Sequence, residues 1–340
     1  MTRFVIPRMV SSQRFGSGID EGRRAALAAL IAAAFAPRAS AQSSRVRCIG
    51  YLSRGARPGE LTKPLAELGW IEGKNLRFEV RAVANQDSRA LAAAAAELVQ
   101  ASVDVLFAYF TDRVEALARA TTTIPIVCGV TSDPVGQGFA TTLARPSRNI
   151  TGLSAGFAET AELRIGLLKI MRPGLKRIAF VHGVADARSG DQWSSVARPF
   201  AASAMAAGIS FAMAPVSTLA DVERAFKALG DPAGAAALTV LTSGLPGEAA
   251  DVPALAIRYR IAITGSPQDG ALMYFNLEHS DPNSRIAVII DKILRGVKPA
   301  AIPFELPDRT EFVVNRATAK AIGIDLPPEI LIRATDVIGS

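Results

Sequence analysis

The stretch VDVLFAYFTDRVEALARATTTIPIVCGVTSDP, residues 103–134, decides the fold. An apolar run at 103–109 is followed by a helical pattern that opens at Thr111 and Asp112, and a second apolar run follows at 124–130. Apolar strands that alternate with helices are typical of a parallel sheet covered on both faces. We therefore expect one strand–helix–strand unit here, with Thr111 or Asp112 as the natural N-cap of its helix.

The same alternation continues along the chain and occurs twice, once before about Gly152 and once after it. The predicted strands are 46–52, 76–83, 103–109, 124–130 and 149–153, and then 176–182, 209–215, 235–242 and 260–264. Helical patterns separate them, and the stripe Ile286, Ile289, Ile290 and Ile293 marks a packing face of a later helix. The pattern predicts an α/β fold of two doubly wound, parallel-sheet lobes.

The tail of the chain continues after the ninth predicted strand instead of ending there. It comprises a strand at 272–275, a helix at 281–295, an extended stretch at 298–307, a strand at 311–314 and a helix at 316–323. These elements predict a chain that returns to the first lobe and crosses back, forming a multi-crossing hinge. The expected lobes are 45–152 with about 276–305, and 153–275 with about 308–340. A cleft should lie between them, lined by loops that follow the strands.

The first 41 residues have the pattern of an export signal. Arg23 and Arg24 precede an apolar run at 25–36, which Pro37 ends, and small residues follow at 39–41. The run is too short to span a bilayer. A signal peptide at 1–41, cleaved near Ala41 and Gln42, predicts a periplasmic protein. The start codon (Met1 or Met9) and the export route (general or twin-arginine) stay open.

More than half of the net charge of the chain belongs to these same 41 residues. The chain carries a formal net charge of +7, which by itself would suggest a nucleic-acid partner. Residues 1–41 contain six arginines and two acidic residues, so the remainder has 32 basic and 29 acidic residues, a net charge of +3. Lysines and arginines are not clustered with aromatic residues, and nucleic acid is not expected as a partner.

Composition and motifs exclude several classes of protein. The chain is 49% hydrophobic and 20% charged, which argues against disorder, collagen and a multi-span membrane protein. Two histidines and two cysteines argue against a histidine-based metal site and a disulfide scaffold. No phosphate loop is present, and the glycines of SRGARPG at 53–59 lack dinucleotide-binding spacing. We expect no cofactor and no metal.

One motif suggests catalysis. The segment GLSAG, 152–156, matches the G-x-S-x-G pattern of serine hydrolases, in which a histidine oriented by an acid activates the serine. In such a triad His279 would activate Ser154, and Asp251 or Asp269 would orient His279. The short pattern often arises by chance in a chain with 27 glycines, and no HGGG-like segment precedes it. A small-residue hinge is favoured, and a secreted serine hydrolase using Ser154 is the alternative.

Polar residues after the predicted strands are the candidate ligand contacts. The SDPVG segment at 132–136 is expected to open a helix with Pro134 in its first turn. Free N–H groups at helix starts, with hydroxyls beside them, suit an anionic ligand group. Plain capping is the competing explanation for Asp133. The candidate ligand-binding residues are Ser53, Arg54, Thr111, Asp112, Ser132, Asp133, His182, Ser243 and Tyr274.

The two cysteines are expected to be free. Cys48 and Cys128 lie on the first and fourth predicted strands. In a sheet of order 2-1-3-4-5 these strands flank the third, which puts the cysteines about 9.6 Å apart. A disulfide needs Cα atoms within about 7 Å. We therefore predict two buried thiols.

At this point four segments show a family resemblance. They are IGYLSRG at 49–55, LGWIEGKNLRFEVR at 68–81, TTTIPIVCGVTSDPVGQGFATTLARPSRNITGLS at 121–154, and the C-terminal stretch 291–338. Together they resemble the ABC-transporter substrate-binding proteins that include tryptophan- and tyrosine-binding members, with a type I periplasmic-binding fold. The resemblance covers essentially the whole chain after the leader.

The resemblance implies a non-enzymatic receptor, and we expect this receptor to be a monomer. Such a protein would close around a small-molecule ligand, polar or amino-acid-like, and deliver it to a membrane permease and its ATPase. A ligand sensor that partners a signalling receptor instead of a permease stays open as an alternative. It also implies that the SDPV loop, 132–135, contacts the ligand. Three expected cleft loops depart from the family pattern, namely TDR at 111–113, HGV at 182–184 and ALMYFN at 271–276. An aromatic amino acid therefore does not carry over as the ligand.

Overall fold

The structure of this chain is a computed structural model. It describes residues 45–55, 58–84, 87–146, 148–184, 190–240, 245, 249–265 and 270–339. The predicted leader and its cleavage site, together with Ser243 and Asp269, lie outside the described residues.

The first sheet is entirely parallel. Its strands are β1 (Arg47–Ser53), β2 (Leu76–Ala82), β3 (Val105–Ala108), β4 (Ile126–Thr131) and β5 (Ile150–Ser154). They pair in the order β2-β1-β3-β4-β5. Strands β1, β3, β4 and β5 are almost wholly buried, as expected for a sheet covered on both faces, whereas the edge strand β2 is partly exposed.

The second sheet repeats that order and extends it. Its strands are β6 (Arg177–Gly183), β7 (Ser210–Val216), β8 (Ala235–Val240), β9 (Ala262–Thr264), β10 (Met273–Glu278), β11 (Arg309–Asn315) and β12 (Asp336–Ile338). The order is β12-β11-β10-β9-β8-β6-β7, in which β7-β6-β8-β9-β10 reproduces the topology of the first sheet. The predicted α/β fold with two doubly wound sheets is confirmed.

Helices cover both sheets. They are α1 (Gly59–Glu67), α2 (Ser88–Gln100), α3 (Thr111–Ala120), α4 (Phe157–Met171), α5 (Gly190–Ala206), α6 (Leu219–Ala228), α7 (Val252–Tyr259), α8 (Pro282–Leu294), α9 (Arg316–Ala321) and α10 (Pro328–Arg333). The α8 stripe Ile286, Ile289, Ile290 and Ile293 is buried against the first sheet, in one cluster with Ile49 of β1. The stripe is a packing face, as its helical spacing predicts. No described helix is long and apolar enough to cross a membrane.

The chain passes three times between the sheets. It leaves the first sheet after β5, returns after β10 to α8, and passes back from the stretch before β11, where Leu153 and Glu305 form a bridge. The last passage has a consequence that the strand–helix alternation did not predict. Because β11 starts where β10 ends, with Glu278 opposite Arg309, the two strands are antiparallel.

Gly152 on β5 shows why a small residue is required beside a neighbouring strand. Its φ is +151°, and a Cβ atom there would lie 2.1 Å from the carbonyl oxygen of Cys128 on β4. An L-residue would be strained, and the contact is with backbone that cannot turn away. The glycine-rich GLSAG segment thus serves the close approach of β4 and β5.

Two expectations for the first sheet have different outcomes. Cys48 and Cys128 are free and buried, on strands that flank β3, as predicted. The prediction that a helix opens at the SDPVG segment is wrong, because residues 134–138 form turns and the described residues between β4 and β5 contain no helix. Asp133 instead accepts a hydrogen bond from the Gly136 N–H at 2.7 Å, which closes the chain into a turn before a helix can start.

Candidate functional site

The carboxyl ends of the parallel strands in both sheets lie on the side where the chain passes between them. Strand β5 ends at Ser154, where the chain leaves the first sheet, and β1, β3 and β4 run parallel to it. Strand β10 ends at Glu278, where the chain returns, and β9 runs parallel to β10. Open α/β sheets bind ligands beyond these carboxyl ends, so both edges contribute candidate residues.

Most of the predicted site residues are brought together at the edge of the first sheet. Ser53 ends β1 and is buried, and its hydroxyl accepts a hydrogen bond from the Gly55 N–H. The Arg54 guanidinium stacks over the ring of Phe110, 4.8 Å from its centroid. Thr111 begins α3 beside it. This cation–π contact joins the loop after β1 to the loop after β3.

Asp112 has a structural partner rather than a capping role. The N-cap of α3 is Phe110, which makes no side-chain cap, so the prediction that Thr111 or Asp112 caps the helix is wrong. The Asp112 carboxylate instead accepts a hydrogen bond at 2.7 Å from Arg113, whose guanidinium is buried and also donates to the Val83 carbonyl at 2.6 Å. The ion pair satisfies a buried charge that would otherwise be costly.

The turn after β4 reaches the helices of the second sheet. Ser132 is half-buried and Asp133 is buried within this turn. At its tip the Gly136 carbonyl accepts a hydrogen bond at 3.0 Å from Arg198, an exposed residue on α5. The SDPV turn therefore lies where the two sheet assemblies touch.

Two candidate residues belong to the second sheet. His182 is buried on β6, with ring centroids of Phe180 and Trp193 at 5.9 and 6.0 Å, and burial lowers its pKa. Tyr274 on β10 is half-buried, and burial raises the pKa of its hydroxyl. Of the described candidates only Tyr274 lines the cavity between the second sheet and helices α4 and α5.

A cavity of about 180 Å³ lies between the second sheet and helices α4 and α5. It extends to Thr239 and Thr264, near the carboxyl ends of β8 and β9, and to Asn276 on β10. Six of the fourteen residues that line it are aromatic, namely Phe157, Phe180, Trp193, Phe200, Tyr274 and Phe275.

Arg164 of α4 is the charged residue among the described residues of the cavity wall. Its guanidinium carbon lies 5.0, 5.7 and 5.1 Å from the ring centroids of Phe157, Phe200 and Phe275. Its Nε and Nη2 atoms are buried, and neither has a hydrogen-bond partner among the described residues. Burial lowers the pKa of Arg164 to about 10, and Tyr274, where it ionises at high pH, acts in the opposite direction. At neutral pH the guanidinium is therefore charged.

The cation–π contacts stabilise the Arg164 guanidinium by less than its burial costs. A cation–π contact contributes from ~0.5 kcal/mol when exposed to ~2 kcal/mol when desolvated. Burying an ion without a counter-ion costs several kcal/mol, and its unsatisfied N–H groups add to that. The Arg164 guanidinium thus lies among aromatic rings with N–H donors left unpaired by the described residues, and an anionic group would accept hydrogen bonds from them.

The catalytic alternative was based on Ser154 and His279, and the structure does bring these residues together. His279 Nε2 lies 3.0 Å from the backbone carbonyl oxygen of Ser154, whereas the Ser154 hydroxyl accepts a hydrogen bond from the Gly156 N–H at 3.1 Å. General-base activation needs the imidazole on the hydroxyl. Asp251 lies in a short 3₁₀ turn before α7. The contact between His279 and the Ser154 carbonyl joins the segment after β5 to the segment after β10. The Ser154 side chain is buried.

The passages are joined by a network that the sequence patterns did not indicate. Ser280 donates from its N–H and its hydroxyl to Asp308, each at 2.8 Å. Arg285 donates to Glu305 at 2.9 Å and to Asp308 at 2.6 Å. The hydrogen bonds from Ser280 lower the pKa of Asp308 to about 2. We call Ser280, Arg285, Glu305 and Asp308 the crossing network.

Arg164 was also missed, although the sequence contains a signal for it. Phe157, Ala161, Arg164, Leu168 and Met171 recur at helical spacing, so one arginine interrupts an otherwise apolar stripe of α4. A charge on a packing face needs a reason. The described residues contain no group of three histidine, cysteine or acidic side chains that could hold a metal ion.

A profile of the ABC transporter substrate binding protein family matches residues 53–338. The chain belongs to this family. The substrate-binding chain is 24% identical over 267 residues to the tyrosine-binding protein of Clostridioides difficile, covering 76% of this chain and 74% of that protein.

Two solved structures share the fold of this substrate-binding chain. A conserved domain protein from Vibrio cholerae is 25% identical, covering 86% of this chain and 100% of that one, with a TM-score of 0.66. A complex with L-Trp from Streptococcus pneumonia is 21% identical, covering 86% and 99%, with a TM-score of 0.64. The family resemblance inferred from the sequence segments is confirmed. Substrate-binding proteins of ABC systems imply a small-molecule ligand and membrane transporter partners.

Proposed function

We propose that this chain is the extracytoplasmic solute-binding protein of an ABC import system, and that it binds a small polar or amino-acid-like ligand between two lobes. The first lobe would be 45–152 with about 276–305, and the second 153–275 with about 308–340. The observation that carries the proposal is the shared orientation of the two sheets, whose parallel strands direct their carboxyl ends toward the passages of the chain.

The mechanism is closure of the lobes around the ligand. A ligand that contacts both edges favours the closed state by the difference between its affinities for the two states. Ser53, Arg54, Thr111 and Asp112, with the SDPV turn, would form the first edge. The cavity beside Tyr274 would belong to the second edge. Arg198 and Gly136 provide a contact across the two.

Export, partners and site residues are part of the same proposal. The leader at 1–41 would be removed near Ala41, which leaves a periplasmic monomer that docks on a permease with its ATPase. The ligand set would comprise the described candidates and Ser243, which lies outside the described residues. No catalytic step is required of Ser154.

A thermal-shift panel tests the proposed function. Amino acids, small carboxylates and aromatic acids are each added to the purified chain, and one of them should raise the melting temperature. Ligand at a hundred times its dissociation constant adds about 2.7 kcal/mol to the free energy of unfolding, which is readily seen. Ester substrates are assayed in parallel on the chain and on Ser154→Ala. Ester turnover that disappears in the variant, with no thermal shift from any compound, would establish the hydrolase instead.

A further inference from the structure

We propose that the cavity of the second sheet binds a single-ring aromatic carboxylate that carries no ammonium group, with Arg164 as its counter-ion. This rests on the proposed function, whose ligand class it narrows. The ring of the ligand would pack against the aromatic side chains of the wall, and its carboxylate would accept hydrogen bonds from the Arg164 guanidinium.

The size of the cavity supports one ring. The space is about 180 Å³, and a cavity of about 150 Å³ lined by apolar side chains holds a benzene molecule. A benzene ring with one short substituent therefore fits this volume. Aromatic rings contact one another favourably in offset or edge-to-face geometry, and Phe157, Phe180 and Tyr274 offer such surfaces.

The charge of the cavity supports an anion. Arg164 Nε and Nη2 are buried, and their N–H groups have no hydrogen-bond acceptor among the described residues. A guanidinium presents its N–H groups in a fork that matches the two oxygens of a carboxylate. The hydroxyls of Thr239 and Thr264 and the amide of Asn276, which also line the wall, are neutral.

The same wall argues against an α-amino acid. An ammonium group that leaves water needs an anionic partner or several acceptors. Among the described residues of the wall there is no aspartate and no glutamate. Tyr274 is the titratable group that acts electrostatically on Arg164, and burial raises the pKa of its hydroxyl, which therefore stays protonated at neutral pH. A carboxylate without an ammonium group is therefore the ligand class that fits.

The experiment is a calorimetric titration of the purified chain with four probes. Benzoate has the ring and the charge, benzamide has the ring alone, acetate has the charge alone, and phenylalanine adds an ammonium group. Benzoate should bind at least about tenfold more tightly than each of the others, since a hydrogen bond to a charged group contributes about one to two powers of ten in affinity.

Variants separate the role of Arg164 from a structural one. Arg164→Gln should lower benzoate affinity to the level of benzamide and leave benzamide affinity unchanged, a result that disturbed packing would not produce. Arg164→Lys keeps the charge and should retain part of the preference. Lys169→Gln removes an exposed cation from the same helix and should bind benzoate as the wild type does. Circular dichroism confirms that each variant is folded.

The outcomes distinguish this inference from the proposed function. Equal affinity for benzoate and benzamide, or unchanged benzoate binding in Arg164→Gln, overturns the inference. Binding of phenylalanine or another amino acid without binding of benzoate also overturns it, while the chain remains a solute-binding protein. Failure of all four probes and of the thermal-shift panel overturns both.

Discussion

Cys48 and Cys128 illustrate how strand order determines the chemistry of single residues. Both are buried, on strands separated by β3, and burial raises the pKa of each thiol. A thiol that stays protonated and inaccessible is a poor nucleophile. Their separation excludes a disulfide without movement of the sheet. In the periplasm, the location proposed for this chain, the two cysteines would therefore stay reduced.

Thiol titration with a chromogenic disulfide reagent tests this arrangement. The native chain should show no reactive thiol, and the unfolded chain should show both, because unfolding removes the burial that protects them. Met205→Cys places a thiol on an exposed position of α5 and should react at once in the native state. Absence of any thiol after unfolding without reductant would mean that the cysteines are paired.

Candidate residues were predictable from the sequence where they follow a strand. Ser53, Arg54 and Thr111 lie at the carboxyl edge because apolar runs mark where strands stop, and parallel strands share one edge. Arg164 was not predictable in the same way. Its role depends on which side chains of α5 and β10 pack around α4, and helical spacing does not carry that information. The N-cap of α3 shows a similar limit, because Phe110 is extended and holds that position without a polar side chain.

Among the elements, the segments that join the sheets are the least apparent in the sequence. They are either very short, as at 155–156 and 279–281, or extended and proline-rich, as at 298–307, and in the sequence they look like ordinary loops. The sequence indicated that the chain returns to the first sheet, because extra strands and helices follow the ninth strand. The antiparallel pairing of β11 follows only from where the last passage begins. The third strand of that region, β12, was not predicted, because Asp336–Ile338 is too short to show a pattern.

The crossing network predicts a specific dependence of stability on pH. Hydrogen bonds from Ser280 hold the folded pKa of Asp308 at about 2, below its ordinary value of 3.8. The stabilisation is therefore complete above about pH 4 and is lost as the pH falls toward 2, where the folded carboxylate protonates. Asp308→Asn should lower the melting temperature at neutral pH, and its difference from the wild type should shrink by about pH 3.

Asp325→Asn is the control for this comparison. Asp325 is exposed and has no hydrogen-bond partner among the described residues, so its replacement should change the melting temperature little at either pH. If both variants differed from the wild type in melting temperature by the same amount, and this difference did not change with pH, the role given to Asp308 would be contradicted. A loss of stability in Asp308→Asn that grows on acidification would contradict it as well.

At the scale of the whole molecule, the repeated sheet order is the feature on which the account depends. Two sheets with the same β-strand order, built from consecutive stretches of one chain, direct their carboxyl edges toward the same joining segments. The alternation of strands and helices was sufficient to predict this arrangement. The formal charge of +7 was misleading, because more than half of it belongs to residues 1–41. Neither the alternation nor the charge identifies a ligand, since that depends on a few side chains at the two edges.

Closure on ligand binding is the central claim, and small-angle X-ray scattering tests it most directly. Scattering is recorded from the chain alone and with a saturating amount of the compound that raises its melting temperature. Ligand contacts with both lobes should shift the population toward the closed state, so the radius of gyration should fall. A compound from the panel that causes no thermal shift should leave it unchanged. A saturated complex with the same radius of gyration as the free chain would contradict closure of the lobes around the ligand.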